Sequence, residues 1–202
     1  MTSRPDTLLI ATHNAGKLDE MRDLLAPYGI AVRGAAELNL AEPEETETTF
    51  IGNARIKAHA AAQATGLPAL ADDSGLAVDA LDGAPGVYTA DWAETETGRD
   101  FLMAMEKVRA ELLKNNAKEP WHAQFHCTLV LAFPDGTDHV FQGIMPGTLT
   151  WPLRGALGHG FDPMFIPNGF TQTFAEMTAD EKNRISHRAK AFQLFVDGYL
   201  DA

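Results

Sequence analysis

Short apolar blocks separated by polar breaks mark the elements of this chain one after another. Thr7-Leu8-Leu9-Ile10-Ala11 is an apolar run of strand length. The loop Thr12-His13-Asn14-Ala15-Gly16-Lys17 leads from it to Leu18, Met21, Leu24 and Leu25, which recur at helical spacing. The unit reads as strand, polar loop, helix. Pro27-Tyr28-Gly29 stops that helix, and Ile30 to Val32 predicts a second strand. Phe50, Ala54, Ile56, Ala60, Ala61 and Ala64 give a helix over 50–64 its apolar side, and Gly66 followed by Pro68 is the order expected at a helix C-terminus. Leu67 to Ala71, with Pro68 at its entry, and Leu76 to Val78 are apolar runs on either side of Asp72-Asp73-Ser74-Gly75, which predicts strand, polar break, strand.

The second half continues in the same way. The Gly/Pro-rich stretch from Asp79 to Tyr88 reads as a loop, and Phe101, Leu102, Met105, Val108 and Leu112 predict a helix over 97–115. Polar Asn115 to Pro120 is the expected boundary between two lobes. A long β-hairpin follows, from Ala123 to Phe133 and from His139 to Met145 across the Asp135-Gly136 turn, with Phe125, Cys127, Leu129 and Leu131 on one face. Gly155 to Pro163 is a second glycine-rich loop, and Met164 to Ile166 a short strand. Thr178 with Glu181 three residues on has capping-box spacing, and Ser186 caps a last helix whose packed face is expected from Ala189, Phe192, Leu194 and Phe195.

Composition narrows what such a fold can do. The 202 residues carry 28 acidic against 16 Lys and Arg side chains, a formal charge of −12, which argues against holding long nucleic acid by counterion release. A phosphate ligand then has to meet local positive groups and a divalent cation. The single cysteine, Cys127, excludes an internal disulfide and a multi-cysteine zinc site, and reads as core. His122, His126 and His139 lie on the hairpin without metal-ligand spacing. Met1 to Asp6 is polar and leads into no signal-peptide core, and no stretch approaches the roughly 18 apolar residues of a membrane span, so a cytoplasmic location without membrane contact is expected.

The chemistry concentrates in a few places. Asp72 and Asp73 are adjacent carboxylates between apolar runs, which is costly unless a positive group, such as a divalent cation, stands against them. Asp-Ser-Gly alone reads first as a turn, and the doubled Asp flanked by apolar residues shifts that reading. Thr12 or Asn14 can cap the first helix, and a helix start beside Lys17 is a phosphate cradle, although the glycine pattern of a Walker loop is missing; a solvated lysine is the alternative. Lys57 and Asn53 share one helix face. Glu42, Glu44, Glu45 and Glu47 form an acidic loop that reads first as solvated surface. Lys182, Arg184, His187, Arg188 and Lys190 make the most basic segment of an acidic chain. Together these groups suit Mg2+-assisted hydrolysis of a charged phosphate compound by direct water attack, with a carboxylate taking the proton.

The same segments resemble the inosine triphosphate pyrophosphatase, or Ham1-like, family. The resemblance is carried by Thr12 to Lys17, Glu45 with Thr49-Phe50-Ile51-Gly52-Asn53-Ala54, Leu70 to Leu76, Gly83 to Tyr88, Gly160-Phe161-Asp162-Pro163 and Glu181 to Arg188, nearly end to end in the family's order. It implies cleavage of non-canonical purine nucleoside triphosphates (inosine, deoxyinosine and xanthosine forms) to monophosphate and pyrophosphate, which cleans the nucleotide pool. It also implies an α/β fold of two lobes, a long mixed β-sheet flanked by helices, the active site in the cleft between lobes, and a homodimer. Residues 1–202 form a single domain in this reading, with no independent second domain.

Carried over by position, Asp73 is the general base and a metal-side carboxylate. Glu45 holds Mg2+, with Glu44 the other register and Asp72 the neighbouring carboxylate. Thr12, His13, Asn14, Ala15, Gly16, Lys17, Lys57 and Ser74 bind the triphosphate. In the loop His159-Gly160-Phe161-Asp162, Phe161 stacks on the base, which Asp162, Lys182, His187 and Arg188 fix. Two positions depart from the family: His159 stands where it usually has Phe, and Glu47 where it has Gly. The competing readings are a Maf-like pyrophosphatase acting on other nucleotides, including modified pyrimidines, and a nucleotide-binding regulator without turnover.

Overall fold

The alanine-rich helix predicted over 50–64 sets the architecture of the first half. In the computed structural model, which describes residues 5–13 and 15–201, six strands form one mixed sheet in the order β2-β1-β3-β6-β7-β8. The elements in chain order begin with β1 (Thr7–Ile10), α1 (Ala15–Leu25), β2 (Ala31–Gly34), α2 (Phe50–Thr65) and β3 (Ala69–Val78). A two-stranded ribbon, β4 (Glu94–Thr95) with β5 (Gly98–Arg99), precedes α3 (Phe101–Lys114). Then come β6 (Trp121–Ala132), β7 (Asp138–Leu149), β8 (Phe165–Pro167), α4 (Ala179–Ile185) and α5 (His187–Phe195). β1 pairs in parallel with β2 and with β3, whereas β7 and β8 are antiparallel.

The chain divides into two compact units. One takes the chain up to Asp73, Thr128–Gln142 and the segment from Ala191; the other takes Ser74–Cys127 and Gly143–Lys190. The lobe boundary expected at Asn115 to Pro120 is therefore corrected: that stretch links α3 to β6 inside the second unit. A change of unit is a property of packing, and polar composition at a helix end resembles it only superficially.

In the first unit, α2 lays Ala54, Ala58, Ala61 and Ala62 against Leu9, Ala69, Ala71, Val130 and Ala132. Small side chains keep the helix close to the strands. Thr49 caps α2 by accepting from the Gly52 N–H, and Gly66, at φ 69°, closes it with its N–H on the Ala62 carbonyl. Arg55 and His59 on α2 both reach Asp138 at the start of β7, Arg55 through two nitrogens at 2.9 and 3.1 Å. In the second unit, Phe125, Phe165 and Phe174 form an aromatic cluster, packed with Leu76, Met105, Val108 and Leu112.

Three other expectations change. β3 runs unbroken through Asp72-Asp73-Ser74-Gly75, so no turn interrupts it. Helix α3 starts at Phe101, capped by Asp100, because Gly98 and Arg99 pair with Glu94 and Thr95 instead. On α5 the buried apolar residues are Ala191, Phe192 and Phe195, while Leu194 is exposed. The hairpin, its Phe133 to Thr137 turn, the buried Cys127 and the Thr178–Glu181 capping box are all present.

Candidate active site

The expected site residues gather in two clusters, one in each unit. In the first, strand alternation sends the adjacent carboxylates of β3 to different lysines. Lys17, in the first turn of α1, has its Nζ 2.7 Å from Asp72 Oδ2. Lys57 on α2 has its Nζ 2.7 Å from Glu45 Oε1 and 3.9 Å from Asp73 Oδ1. Asp73 is only 7% exposed. Burial works against the Lys57 ammonium, yet Asp72, Asp73 and Glu45 together outweigh it and hold its pKa above the ordinary lysine value.

The acidic loop is tied down by the start of α2. Asn53, nearly fully buried, accepts the Glu47 N–H at 2.9 Å, and a Cβ at Gly52 would lie 2.5 Å from the Glu47 Cβ. Glu45 reaches Lys57, and both Glu44 and Glu45 are exposed. Of the loop after β1, Thr12 is half-buried and His13 exposed, Ala15 and Gly16 open α1, and Asn14 lies outside the described residues. A pocket of about 190 Å3 adjoins Lys57, walled by Ala11, Ala35, Leu40, Pro43 and Ala61, with His13 and Glu42 in its lining.

Among the described residues no group of three or more His, Cys, Asp or Glu side chains is gathered as for a protein-only metal cage. Mg2+ does not require one. It keeps several waters and takes one or two carboxylates together with substrate phosphates, and the buried Asp73 with Glu45 is an oxygen donor set of that kind.

The second cluster surrounds Asp162. Its Oδ2 accepts from the His159 backbone N–H at 2.8 Å and from Lys182 Nζ at 2.5 Å, and the residue is 2% exposed. Lys182 also lies 5.3 Å from the Phe174 ring centre, held on a helix that Thr178 and Glu181 cap reciprocally. His187 is buried and stacked on Phe125, ring centres 4.8 Å apart and planes 12° apart. Burial first, then the charges of Arg188 and Lys182, push its pKa well below the usual imidazole value, so the ring is neutral at pH 7. Its Nδ1 has no hydrogen-bond partner among the described residues. Ser74 and Arg188 are half-buried.

Two expectations for this cluster are revised. Phe161 is 1% exposed and edge-on to Phe101, so its ring belongs to the core and has no free face for a base. The exposed ring of the loop is His159, two residues earlier. Of the basic segment, Lys190 is spent on the Ile144 carbonyl and Met145 Sδ, leaving Lys182 as the cation on Asp162. Sequence reasoning missed Gly158, which lies against Asp162, and the partner of Asp72. A glycine four residues before a buried aspartate was the only available signal for the first.

Comparison with known proteins gives one consistent answer. The sequence matches the Ham1 family over residues 8–198. It is 68% identical over 193 residues to the dITP/XTP pyrophosphatase of Ruegeria pomeroyi, covering 96% of this chain and 95% of that one. The dITP/XTP pyrophosphatase of Agrobacterium fabrum is 54% identical, covering 97% of each. A solved HAM1 protein from Coxiella burnetii superposes with a TM-score of 0.91 at 35% identity, over 97% of this chain and 99% of that one.

Proposed function

The chain belongs to the Ham1 family, and from that premise we propose that it is a nucleoside triphosphate pyrophosphatase that hydrolyses non-canonical purine nucleotides such as dITP, ITP and XTP. The observation that carries the reading is the 68% identity, over 96% of the chain, to a relative named for that activity. The products are the nucleoside monophosphate and pyrophosphate, Mg2+ is the cofactor, and the enzyme clears the cytoplasmic nucleotide pool as a homodimer. Neither nucleic acid nor membrane is a partner; among the described residues no helix is long and apolar enough to cross a membrane. All 202 residues act as one functional domain.

The roles follow from the side chains. Asp73 takes the proton of the attacking water; the water oxygen joins the α-phosphorus while the bond to the bridging oxygen breaks, and pyrophosphate leaves. Its burial beside Lys57 supports a carboxylate kept out of bulk solvent. Lys17 and Lys57, with the start of α1 and Thr12 to Gly16, balance the charge of the triphosphate, and Asp72 holds Lys17 in place. Asp73 and Glu45 would hold Mg2+, which supplies charge neutralisation on phosphate oxygens.

The Asp162 cluster reads the base. Lys182 is a donor and Asp162 an acceptor, an arrangement satisfied by a 6-oxopurine, whereas adenine leaves buried groups unpaired. His159 supplies the flat exposed ring in place of Phe161, with neutral His187 and Arg188 behind it in sequence. Steady-state comparison of inosine, xanthosine, guanosine, adenosine and uridine triphosphates tests the assignment. The oxopurines inosine and xanthosine are expected to exceed adenosine and uridine by about a hundredfold in kcat/KM. A clear uridine preference favours the Maf-like alternative, and binding without turnover a regulator.

A further inference from the structure

The carboxylate of Asp162 is folded back into its own loop, where Oδ2 takes two donors, the His159 N–H and Lys182 Nζ. That posture needs empty space at one place. Gly158 has φ +75°, and a Cβ built there would collide with Asp162 Oδ2, 3.0 Å from its Cγ and 3.3 Å from its Cβ. The main chain cannot easily move aside, since Phe161 is fully buried and Asp162 opens a turn whose closing N–H, from Phe165, bonds the Asp162 carbonyl. A side chain at 158 would therefore turn the carboxylate off Lys182. We propose that Gly158 is a positioning residue for substrate selection: its missing side chain lets Oδ2 dock on Lys182 and the His159 amide, so that Oδ1 is the oxygen left to meet a ligand.

The consequence for recognition is one of order. With Oδ2 taken, the pair presents a Lys182 donor beside an Asp162 acceptor. The edge of a 6-oxopurine carries the matching sequence, an acceptor oxygen beside a ring N–H. Adenine carries the reverse, an amino donor beside a ring nitrogen acceptor. Rotating the carboxylate destroys the order without removing either group, so selectivity suffers before catalysis does.

This inference rests on the proposed function and deepens it, and one set of full-length variants separates the two. The set is wild type, Gly158→Ala, Gly169→Ala, Asp162→Ala and the Gly158→Ala/Asp162→Ala double variant, each assayed with inosine and adenosine triphosphates and by thermal melting. Gly169 is the strain control, because it has φ +89° but nothing within 4 Å of a built Cβ. Gly158→Ala is expected to raise KM for inosine triphosphate about tenfold, leave kcat within about threefold, and shrink the inosine-to-adenosine ratio of kcat/KM about tenfold. Gly169→Ala should lower the melting temperature and leave that ratio alone. Adding Gly158→Ala to Asp162→Ala should leave the ratio where Asp162→Ala put it and cost no more melting temperature than Gly169→Ala does.

An unchanged ratio in Gly158→Ala, or a further fall of the ratio in the double variant, overturns the inference while leaving the function standing. If Gly158→Ala does not fold, a folded double variant supports it and an unfolded one overturns it. Wild type that fails to cleave inosine triphosphate overturns the function and this inference with it.

Discussion

The Lys17 ammonium sits 2.7 Å from Asp72 Oδ2, a pairing across 55 positions that ties the first turn of α1 to β3. Asp73, the neighbour of Asp72 in sequence, lies 3.9 Å from Lys57, and the charges of both carboxylates support the Lys57 ammonium. One strand thus serves two lysines, with the carboxylates holding both ammonium groups in place.

Removing the first pair tests that arrangement. Lys17→Ala should raise KM for inosine triphosphate about tenfold, since one charge-assisted contact to phosphate is lost. Folding stability should change by less than about 1 kcal/mol, because Lys17 is a third exposed and such pairs are screened. Steady-state kinetics together with urea denaturation separates the two effects, and an unchanged KM would remove Lys17 from the phosphate site.

Asp73→Asn should keep the shape of β3 and abolish the proton acceptor. Turnover is expected to fall by about a thousandfold, within the range of general-base removal, while nucleotide binding by calorimetry persists. Activity retained in this variant would take Asp73 out of the role of base.

His187 links stability to pH. Its folded-state pKa lies well below the 6.5 of an exposed imidazole, chiefly through burial and next through Arg188 and Lys182. Above about pH 6.5 neither state binds a proton there and the group is silent. Below it the unfolded chain takes up a proton that the folded chain refuses, so stability falls on acidification, by up to about 1.4 kcal/mol per pH unit. His126, also shifted down by burial, adds to the slope. Asp138 and Glu181, whose pKa values are lowered from 3.8 and 4.5, contribute their own loss only at lower pH. His187→Phe should flatten the dependence between about pH 5 and 6.5 while keeping a ring on Phe125. Denaturation midpoints across that range, compared with wild type, give the answer.

Much of this was legible in the letters, for reasons that differ by element. The alternation of Phe125, Cys127, Leu129 and Leu131 and the Asp135-Gly136 turn specify the hairpin locally, and Thr49, Gly66 and the alanines between them specify α2. The order of the motifs led to the family. Local signals failed where distant partners decide. Ser74 and Gly75 prefer turns, but β3 runs through them as an inner strand of the six-stranded sheet, next to β6, and membership of the sheet overrides that local preference. Phe161 sits in a glycine-rich loop and looks free, yet Phe101 and the core around Phe165 enclose it, which leaves His159 as the exposed ring. That Asp72 meets Lys17 at 2.7 Å while Asp73 lies near Lys57 is a matter of register between α1, α2 and β3 that spacing along the chain does not encode.

The central claim is that water attacks the α-phosphorus of an oxopurine nucleotide with Asp73 as the base. Phosphorus NMR of the products formed from inosine triphosphate and Mg2+ tests it most directly. The account predicts inosine monophosphate and pyrophosphate in equal amounts, formed by wild type and lost in Asp73→Asn; inosine diphosphate with single phosphate would contradict it.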